Sequence, residues 1–596
     1  MADIQSTASG LWSAGSTWVG GTPPASADTV DINSGHTVTY DLDDEVTTYG
    51  RITISGGTLT FDNSGANRSI RCSDFYGISG TFNIGSSGTP WNSSYTAKIL
   101  CTDTSGMFDT NGEGTINFYG ATKTYYDTTL NGAGTATDTT ITTNDTTGWL
   151  VGDLISIQPT GNTTGDHFET EVFRIKAIST TTITLGLYTD ETTADALAFG
   201  HLDNSIVLNL SHNIQIIHDG AGTTANWGGY RGGSTNNFYR VTFDNCSALV
   251  TGSSTTLSNR NNFNYVNCGI ITNTANSNVG ALNMNSPQFS TVYIKDCNFL
   301  AGGQGINYSR ADDDPLYSTN QFLVEDSYFW GWDASSTAGG SGDAITGGDQ
   351  PNNAQITGCH FAGFDANGFD IDKSNANMVF RDCYFYAIDD IMVYINSGNL
   401  NPLNWIVFEN CIFNESQLGA SYTNQFLSWS RYGGASFVNC KWSGSIATPT
   451  SSASIASFKD FNQTSGDDRL YVLGGYFQRD STTKYATSDS LKFVSLNSGF
   501  IGQYLIKVHV SSTATKTIGI RGKKSSTSGW TVHPYFFVVN KDDGTISSEA
   551  TFSDVDTNWN QKTTTISATD GDYLIIYVSI PYNSSSDFNI DDVTIT

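Results

Sequence analysis

No run of about 18 apolar residues occurs in the 596-residue chain, so no helical membrane span is expected. No long segment repeats its apolar residues every 3.6 positions, which argues against helices. Proline is sparse, at 11 residues. Basic residues are scarce: 28 Lys and Arg face 57 Asp and Glu, a net charge of −29. A surface of that sign repels phosphate, so no nucleic-acid partner is expected. The acidity is expected instead to keep a long chain soluble and to blunt its strand edges. The start, MADIQSTASGLW, has neither a charged segment nor the apolar stretch of a secretory signal, so synthesis in a cytoplasm is expected. There is no H-E-x-x-H, no phosphate-binding loop, no G-x-G-x-x-G at a strand–helix junction and no serine-hydrolase elbow; the eight histidines are scattered.

What is present is β-forming. Val, Ile, Tyr, Phe and Thr alternate with polar residues, and hydrophobic residues make up 38% of the chain, enough to fold. The length exceeds what one compact core serves, so several domains or an elongated repeat follow. Nine cysteines cannot all pair within one chain. Seven of them end a recurring phrase: VTFDNC at Cys246, FNYVNC at Cys268, VYIKDC at Cys297, AQITGC at Cys359, MVFRDC at Cys383, IVFENC at Cys411 and ASFVNC at Cys440. FLVEDS at Ser327 and LYVLGG at Gly475 are the same phrase with a small residue in place of Cys. Two positions after most of them comes a large apolar residue, such as Phe299, Phe329, Phe361, Phe385 or Phe413. Spacings of 22 to 35 residues mark one strand per coil of a parallel β-helix. The thiols are expected to form a buried column at a tight corner, with the Phe rings filling the lumen. The absence of C-x-x-C spacing leaves little room for metal or redox chemistry.

Acids cluster on the expected coils. Asp343, Asp370 and Asp390 each stand near an Ile at comparable points of successive coils, and Asp389 adjoins the last. Successive coils lie about 5 Å apart. Glycoside hydrolysis needs two carboxyl groups roughly 5 to 9.5 Å apart, so Asp343, Asp370, Asp389 and Asp390 are candidate catalytic residues. Solvated or turn-forming Asp is the alternative. Trp330 and Trp332, and later Trp429, Arg431 and Tyr432, are candidate glycan-binding residues, because aromatic faces stack on sugar rings. Packing in the lumen or in a seam between subunits is the alternative for these rings.

Three resemblances add to this. SGLWSAGSTWVGGTPPASADTVDINSG, then TTGWLVGDLISI, ETEVFRIKAIS, FGHL and VLNLSHNIQI, resemble in this order the eight-glycine domain of cell-surface hyaluronidases and of many bacterial and phage surface proteins. The resemblance covers roughly residues 9–220 and implies a cap leading into a right-handed β-helix. NGFDIDKSNANMVFRDCYFYAIDD, from Asn367 to Asp390, looks like the polygalacturonase core N-T-D-G-F-D-I followed by D-D. Asn367 replaces that family's first catalytic Asp, and neither G-H-G nor R-x-K follows, so the resemblance implies shared fold. The ending, Phe588 to Thr596, resembles the last strand of jelly-roll carbohydrate-binding modules, which implies a structural calcium with Asp591 and Asp592 as candidate ligands; no other cofactor is expected.

The expected architecture is all-β: an N-terminal β cap and first coils over 1–220, a right-handed parallel β-helix over 221–480 and a jelly-roll-like β-sandwich over 481–596. A signal-free β-helix with a cap and a terminal sandwich looks like a phage tailspike or tail-fibre protein. That resemblance implies a homotrimer on the virion, partnered by other tail proteins and by host-surface polysaccharide. A polysaccharide depolymerase (glycoside hydrolase or lyase) and a purely structural virion or cell-surface protein are the alternatives.

Overall fold

The structure is a computed structural model. It describes residues 2–102, 108–109, 114–159, 170–219, 225–227, 234–252, 262–272, 280–287, 291–309, 321–332, 342–347, 354–364, 366–371, 378–388, 391–395, 405–414, 425–429, 433–438, 440–442, 445–446, 454–459, 470–472, 475–480, 490–495, 501–524, 533–540, 545–552, 558–570, 572–581 and 588–596. Every helix or strand among them is a strand except the single 3-10 turn Gly15–Thr17. Two compact units form: Met1–Asp370 with Met378–Val393 and Cys411–Asn424, and Ile371–Asn377 with Tyr394–Asn410 and Gln425–Thr596.

The first unit is a parallel β-helix. Each coil visits three sheets in turn, here called faces A, B and C. One coil runs from Cys246–Gly252 on face A to Asn262–Val266 on face B and Gly269–Thr272 on face C. Each strand pairs in parallel with its counterpart on the next coil: Gly280–Pro287, Thr291–Lys295 and Asn298–Ala301. Alternating burial along the face B strands sends every second residue inward. On face C the inward residues stack ring on ring. Phe299, Phe329, Phe361, Phe385 and Phe413 form a column with centroids 4.4, 5.0, 4.9 and 5.0 Å apart. Burying each ring stabilises the coil by about 1.5–3 kcal/mol.

The corner from face B to face C is where the repeating phrase sits. Asn267, Asp296, Asp326 and Asp382 have φ of 52°, 52°, 48° and 54°. This left-handed conformation favours Asn, Asp and Gly, which is why one of these types precedes the small residue. The next residue turns inward. Cys268 donates its thiol to Phe238 O (3.3 Å), Cys297 to Tyr265 O (3.4 Å) and Cys383 to Ile356 O (3.4 Å), each a carbonyl of the preceding coil. The described thiols are buried and unpaired in disulfides, as expected. Burial pushes those of Cys297 and Cys359 well above the usual thiol range. Cys246 departs from the expected register. It follows the face C strand Val241–Asp244, so it stands at the next corner, and Arg240 (φ 57°) takes the face B to face C turn of that coil.

Coils begin far earlier than the Cys phrase. Asp3–Gln5, Thr29–Asn33 and Ile52–Ser55 already pair in parallel on face A. Trp12 and Trp18 are buried against each other, and Trp12 also packs on Tyr40 and Tyr49 of the first coils. Trp12 and Trp18, expected in the cap, thus pack where coils have already begun. A second phrase, G-T-x-T or G-T-x-N, starts the face B strands at Gly57, Gly80 and Gly114. A Cβ on Gly80 or Gly114 would run into the backbone of the preceding coil, at Gly57 and Ile78 respectively. The Asn of this phrase forms an amide ladder up face B. Asn117 Nδ2 donates to Asn83 Oδ1 (3.0 Å), Asn237 Nδ2 to Asn117 Oδ1 (2.8 Å) and Asn264 Nδ2 to Asn237 Oδ1 (2.8 Å).

Between the face B strand Thr115–Tyr119 and the face C strand Ile214–His218 the chain leaves the helix. It builds a seven-stranded antiparallel sheet from Asp127–Thr129 to Ile206–Asn209. One core of this insert gathers Trp149, Ile155, Phe173, Ile175, Ile183 and Leu185.

The second unit begins as coil and ends as sandwich. Trp405–Glu409, Gly433–Val438 and Ser454–Lys459 pair in parallel, and Phe408 stacks on Phe437 at 5.0 Å. The stretch expected as a last coil is different: Leu470–Val472 and Gly475–Asp480 are an antiparallel hairpin. The chain reverses between Val472 and Gly475, where the Cys phrase has a corner. The antiparallel strands thus start at Leu470 rather than near residue 481. One sheet holds Ser490–Ser495, Phe588–Ile595, Ala514–Lys524 and Asn560–Ala568. The other holds Ile501–His509, Tyr573–Pro581, Tyr535–Asn540 and Ala550–Thr551. Ile518, Ile520, Phe536, Val538, Ile576, Val578 and Phe588 from both sheets share one core.

Candidate functional site

The acidic candidates meet the helix where face C turns into face A. Asp343 precedes the face A strand Ile345–Gly347, and Asn367 precedes Phe369–Ile371 one coil on. Coil stacking brings them together: Ala344 N donates to Asn367 O (2.8 Å). Asp343 Oδ1 accepts two hydrogen bonds from Asn367, from the backbone N and from Nδ2, both 2.8 Å. Both side chains are nearly buried, at 8% and 9% exposure. Asp343 therefore holds the next coil's turn, and an amide is the partner its carboxylate needs. The Asn that departs from the polygalacturonase pattern has a structural reason here. Asn367 Oδ1 is itself buried without a hydrogen-bond partner among the described residues. Asp370 stands three residues on, half-buried. Asp389 and Asp390 lie outside the described residues, so Asp343 with Asn367 and Asp370 is as much of the candidate cluster as the structure brings into view.

Trp330 and Trp332 are a correction. Expected as sugar platforms, they are 0% and 7% exposed. Trp330 belongs to a column on the outer side of face C: Ile271, Leu300, Trp330, Ala362 and Tyr386 are in register. The inserted sheet lies over this column and presses Leu154, Val172, Leu208 and Leu210 against it. Tyr188 of the insert packs edge-on to Trp332 at 5.1 Å. No ring face is left for a sugar. The sequence carried a signal: GIIT, NFLA, YFWG and YFYA are apolar at consecutive positions, the mark of strands covered on both sides. Gly363 belongs to the same contact. Its φ is 75°, and a Cβ would meet Thr170 Oγ1 of the insert at 2.9 Å. Trp429 ends the strand Gln425–Trp429, but its side chain, like Arg431 and Tyr432, lies outside the described residues.

Polar clamps reinforce the insert. Tyr188 donates to Asp244 Oδ1 of face C (2.7 Å), and Arg174 Nη2 stands 3.8 Å from Asp244 Oδ2. Burial raises the Asp244 carboxyl above the usual range, against the pull of Tyr188 and Arg174. Lys123 Nζ lies 2.6 Å from Asp153 Oδ2 and donates to Asn209 Oδ1 (3.2 Å), closing the neck of the insert. Burial lowers the Lys123 ammonium despite Asp153. Within the insert, His201 Nε2 meets Glu171 Oε2 at 2.8 Å, and Glu171 also takes the backbone N–H of Ala198 (2.6 Å). These are ties that fix geometry.

In the sandwich, Asp591 is 8% exposed and directly opposite Arg521 in antiparallel register. The side chain of Asp592 lies outside the described residues. Among those residues no group of three or more His, Cys, Asp or Glu is placed to hold a metal ion. No described helix is long and apolar enough to cross a membrane.

A family model of the G8 domain matches residues 17–131. The matched segment is the early coils and the first strand of the insert; Trp149, Arg174 and His201 fall beyond it. A search of curated proteins returns no match. Among solved structures, tailspike gp61 of Pseudomonas phage phi297 is 10% identical over 94% of this chain and 90% of that one, with a TM-score of 0.27. Tailspike gp49 of Pseudomonas phage LKA1 is 10% identical over 93% and 90%, with a TM-score of 0.19. A family 16 carbohydrate-binding module is 20% identical over 20% of this chain and 84% of its own, with a TM-score of 0.17. These are distant structural similarities.

Proposed function

We propose that this chain is a virion surface protein that recognises host-surface polysaccharide along the flank of its β-helix. The observation that carries the reading is the register of the coils. Equivalent residues recur at one spacing along face B of the first unit, a regular surface suited to a repeating polymer. Trimer formation and attachment to other tail proteins belong to the same reading. Glycan cleavage is the second reading, and it would need Asp343 or Asp370 to act with Asp389 or Asp390. The engagement of Asp343 by Asn367 favours binding over cleavage.

The test is incubation of the purified chain with acidic and neutral bacterial surface polysaccharides. Chain length is followed by size exclusion, and new reducing ends or unsaturated products by absorbance. Co-elution with intact glycan is the expected result. Shortened glycan that Asp389→Asn or Asp390→Asn abolishes would establish cleavage. If no polymer is retained or shortened, the structural-protein reading replaces both.

A further inference from the structure

The outer side of face B carries a grid that neither the acidic cluster nor the expected aromatic sites use. Thr58, Thr81, Thr115 and Thr235 lie in register on four successive coils, each partly exposed. Two residues further along the later strands runs the ladder of Asn amides. Adjacent coils are about 4.8 Å apart and outward neighbours on one strand about 6.6 Å apart, so hydroxyls and amides repeat in two directions. An amide has two donors and two lone pairs, and each step of the ladder spends only one of each. Among the described residues none of the four Thr hydroxyls has a hydrogen-bond partner. No charged side chain faces outward on these strands or on the next, Asn262–Val266, although the chain carries a net charge of −29.

We propose that this face binds a neutral, linear polysaccharide lying along the helix axis. The inference rests on the polysaccharide reading above and adds the face and the ligand class. Sugar hydroxyls both donate and accept, as the Thr and Asn groups do. A polyanion finds no cation within the grid, since Arg240 at its edge is turned to Gly120 O, and it is repelled by the net charge of the chain. A polycation finds no anion. Each hydrogen bond exchanged with water contributes little, but a repeating polymer makes many at once across a prearranged grid.

The test uses the full chain with Thr81, Thr115 and Thr235 changed together, once to Arg and once to Val. Arg blocks the surface, and Val removes only the hydroxyls. Folding is checked by circular dichroism and thermal midpoint. The probes are dextran, a neutral mannan, neutral O-polysaccharides released from bacterial envelopes, and polygalacturonate as the acidic counterpart, read by affinity electrophoresis. At least one neutral polymer is expected to retard the parent chain while polygalacturonate does not. The Arg variant is expected to lose roughly tenfold or more in affinity, and the Val variant a smaller part of that. Retention unchanged in both variants would move the site elsewhere and leave the polysaccharide reading standing. Retention of polygalacturonate alone would overturn the ligand class. No retention of any polymer would overturn this inference together with the polysaccharide reading. Conversion of an oligomer to monomers by the Arg variant, seen by sedimentation velocity, would make the face a contact between copies and overturn the inference.

Discussion

At the scale of single residues, the contact between Asp343 and Asn367 ties one acid of the candidate cluster to the next coil. An amide there satisfies a nearly buried carboxylate with two donors. Asn367→Asp would remove one donor and set two carboxyl groups against each other, which raises the pKa of one of them in the folded state. Stability tied to that proton is full below the unfolded carboxylate range and is lost as pH rises through the raised value. The thermal midpoint of Asn367→Asp is therefore expected to fall further below the parent at neutral pH than at acid pH; an equal deficit at both would show that the charges do not meet. Asp244 follows the same sign, since burial raises its carboxyl. Asp244→Asn keeps an oxygen for Tyr188 and is expected to flatten the decline of the first unit's midpoint from weakly acid to neutral pH. An unchanged slope would remove Asp244 from the account. The corner conformation explains the Asn, Asp or Gly before the small residue, and this was readable in the phrase itself. Asp343 with Asn367 was not readable, because only coil stacking brings residues 24 apart into one hydrogen bond.

At the scale of elements, the insert and face C form one packed layer. Trp330→Ala removes a fully buried ring from that layer and is expected to cost about 3–5 kcal/mol. Denaturant unfolding would register the loss, and faster proteolysis of the insert would locate it. Glycan retention by the folded variant is expected to persist; its selective loss would return Trp330 to the binding surface. The lumen makes a contrasting case. Phe361→Ala opens a gap in a stack of five rings, so its two neighbours each lose a face. Hydrogen exchange should quicken on the coils of Phe329 and Phe385 as well as its own, and protection lost at one coil alone would contradict coupling along the column. The Phe column was legible because it recurs beside the Cys phrase. The outward apolar column was legible in principle, from apolar pairs such as Phe329–Trp330, but a loop full of Trp and Asp also resembles a sugar site. First coils were expected within residues 1–220, but their strands were not legible one by one, because Gly-Thr marks them where later coils use Cys.

At the scale of the whole molecule, the first unit is a solenoid interrupted by one inserted sheet among the described residues, and the place of interruption matters. The chain leaves face B after Tyr119 and rejoins face C at Ile214. Across that gap Ala121 N donates to Asn213 Oδ1 at 2.9 Å, and Asn213 Nδ2 also reaches Asn92 O at 3.0 Å. Departure and return thus occur side by side, and the ladder above and below continues in register, from Phe118 to Phe238 on face B and from Ile99 to Ile216 on face C. A corner that the later coils turn in one or two residues here accommodates an entire sheet without shifting the strands around it. In engineering terms it is a port: a foreign domain whose termini lie close together could be spliced between Ala121 and Asn213, with a polar cover for the apolar column of face C, and be carried on the helix at a fixed height.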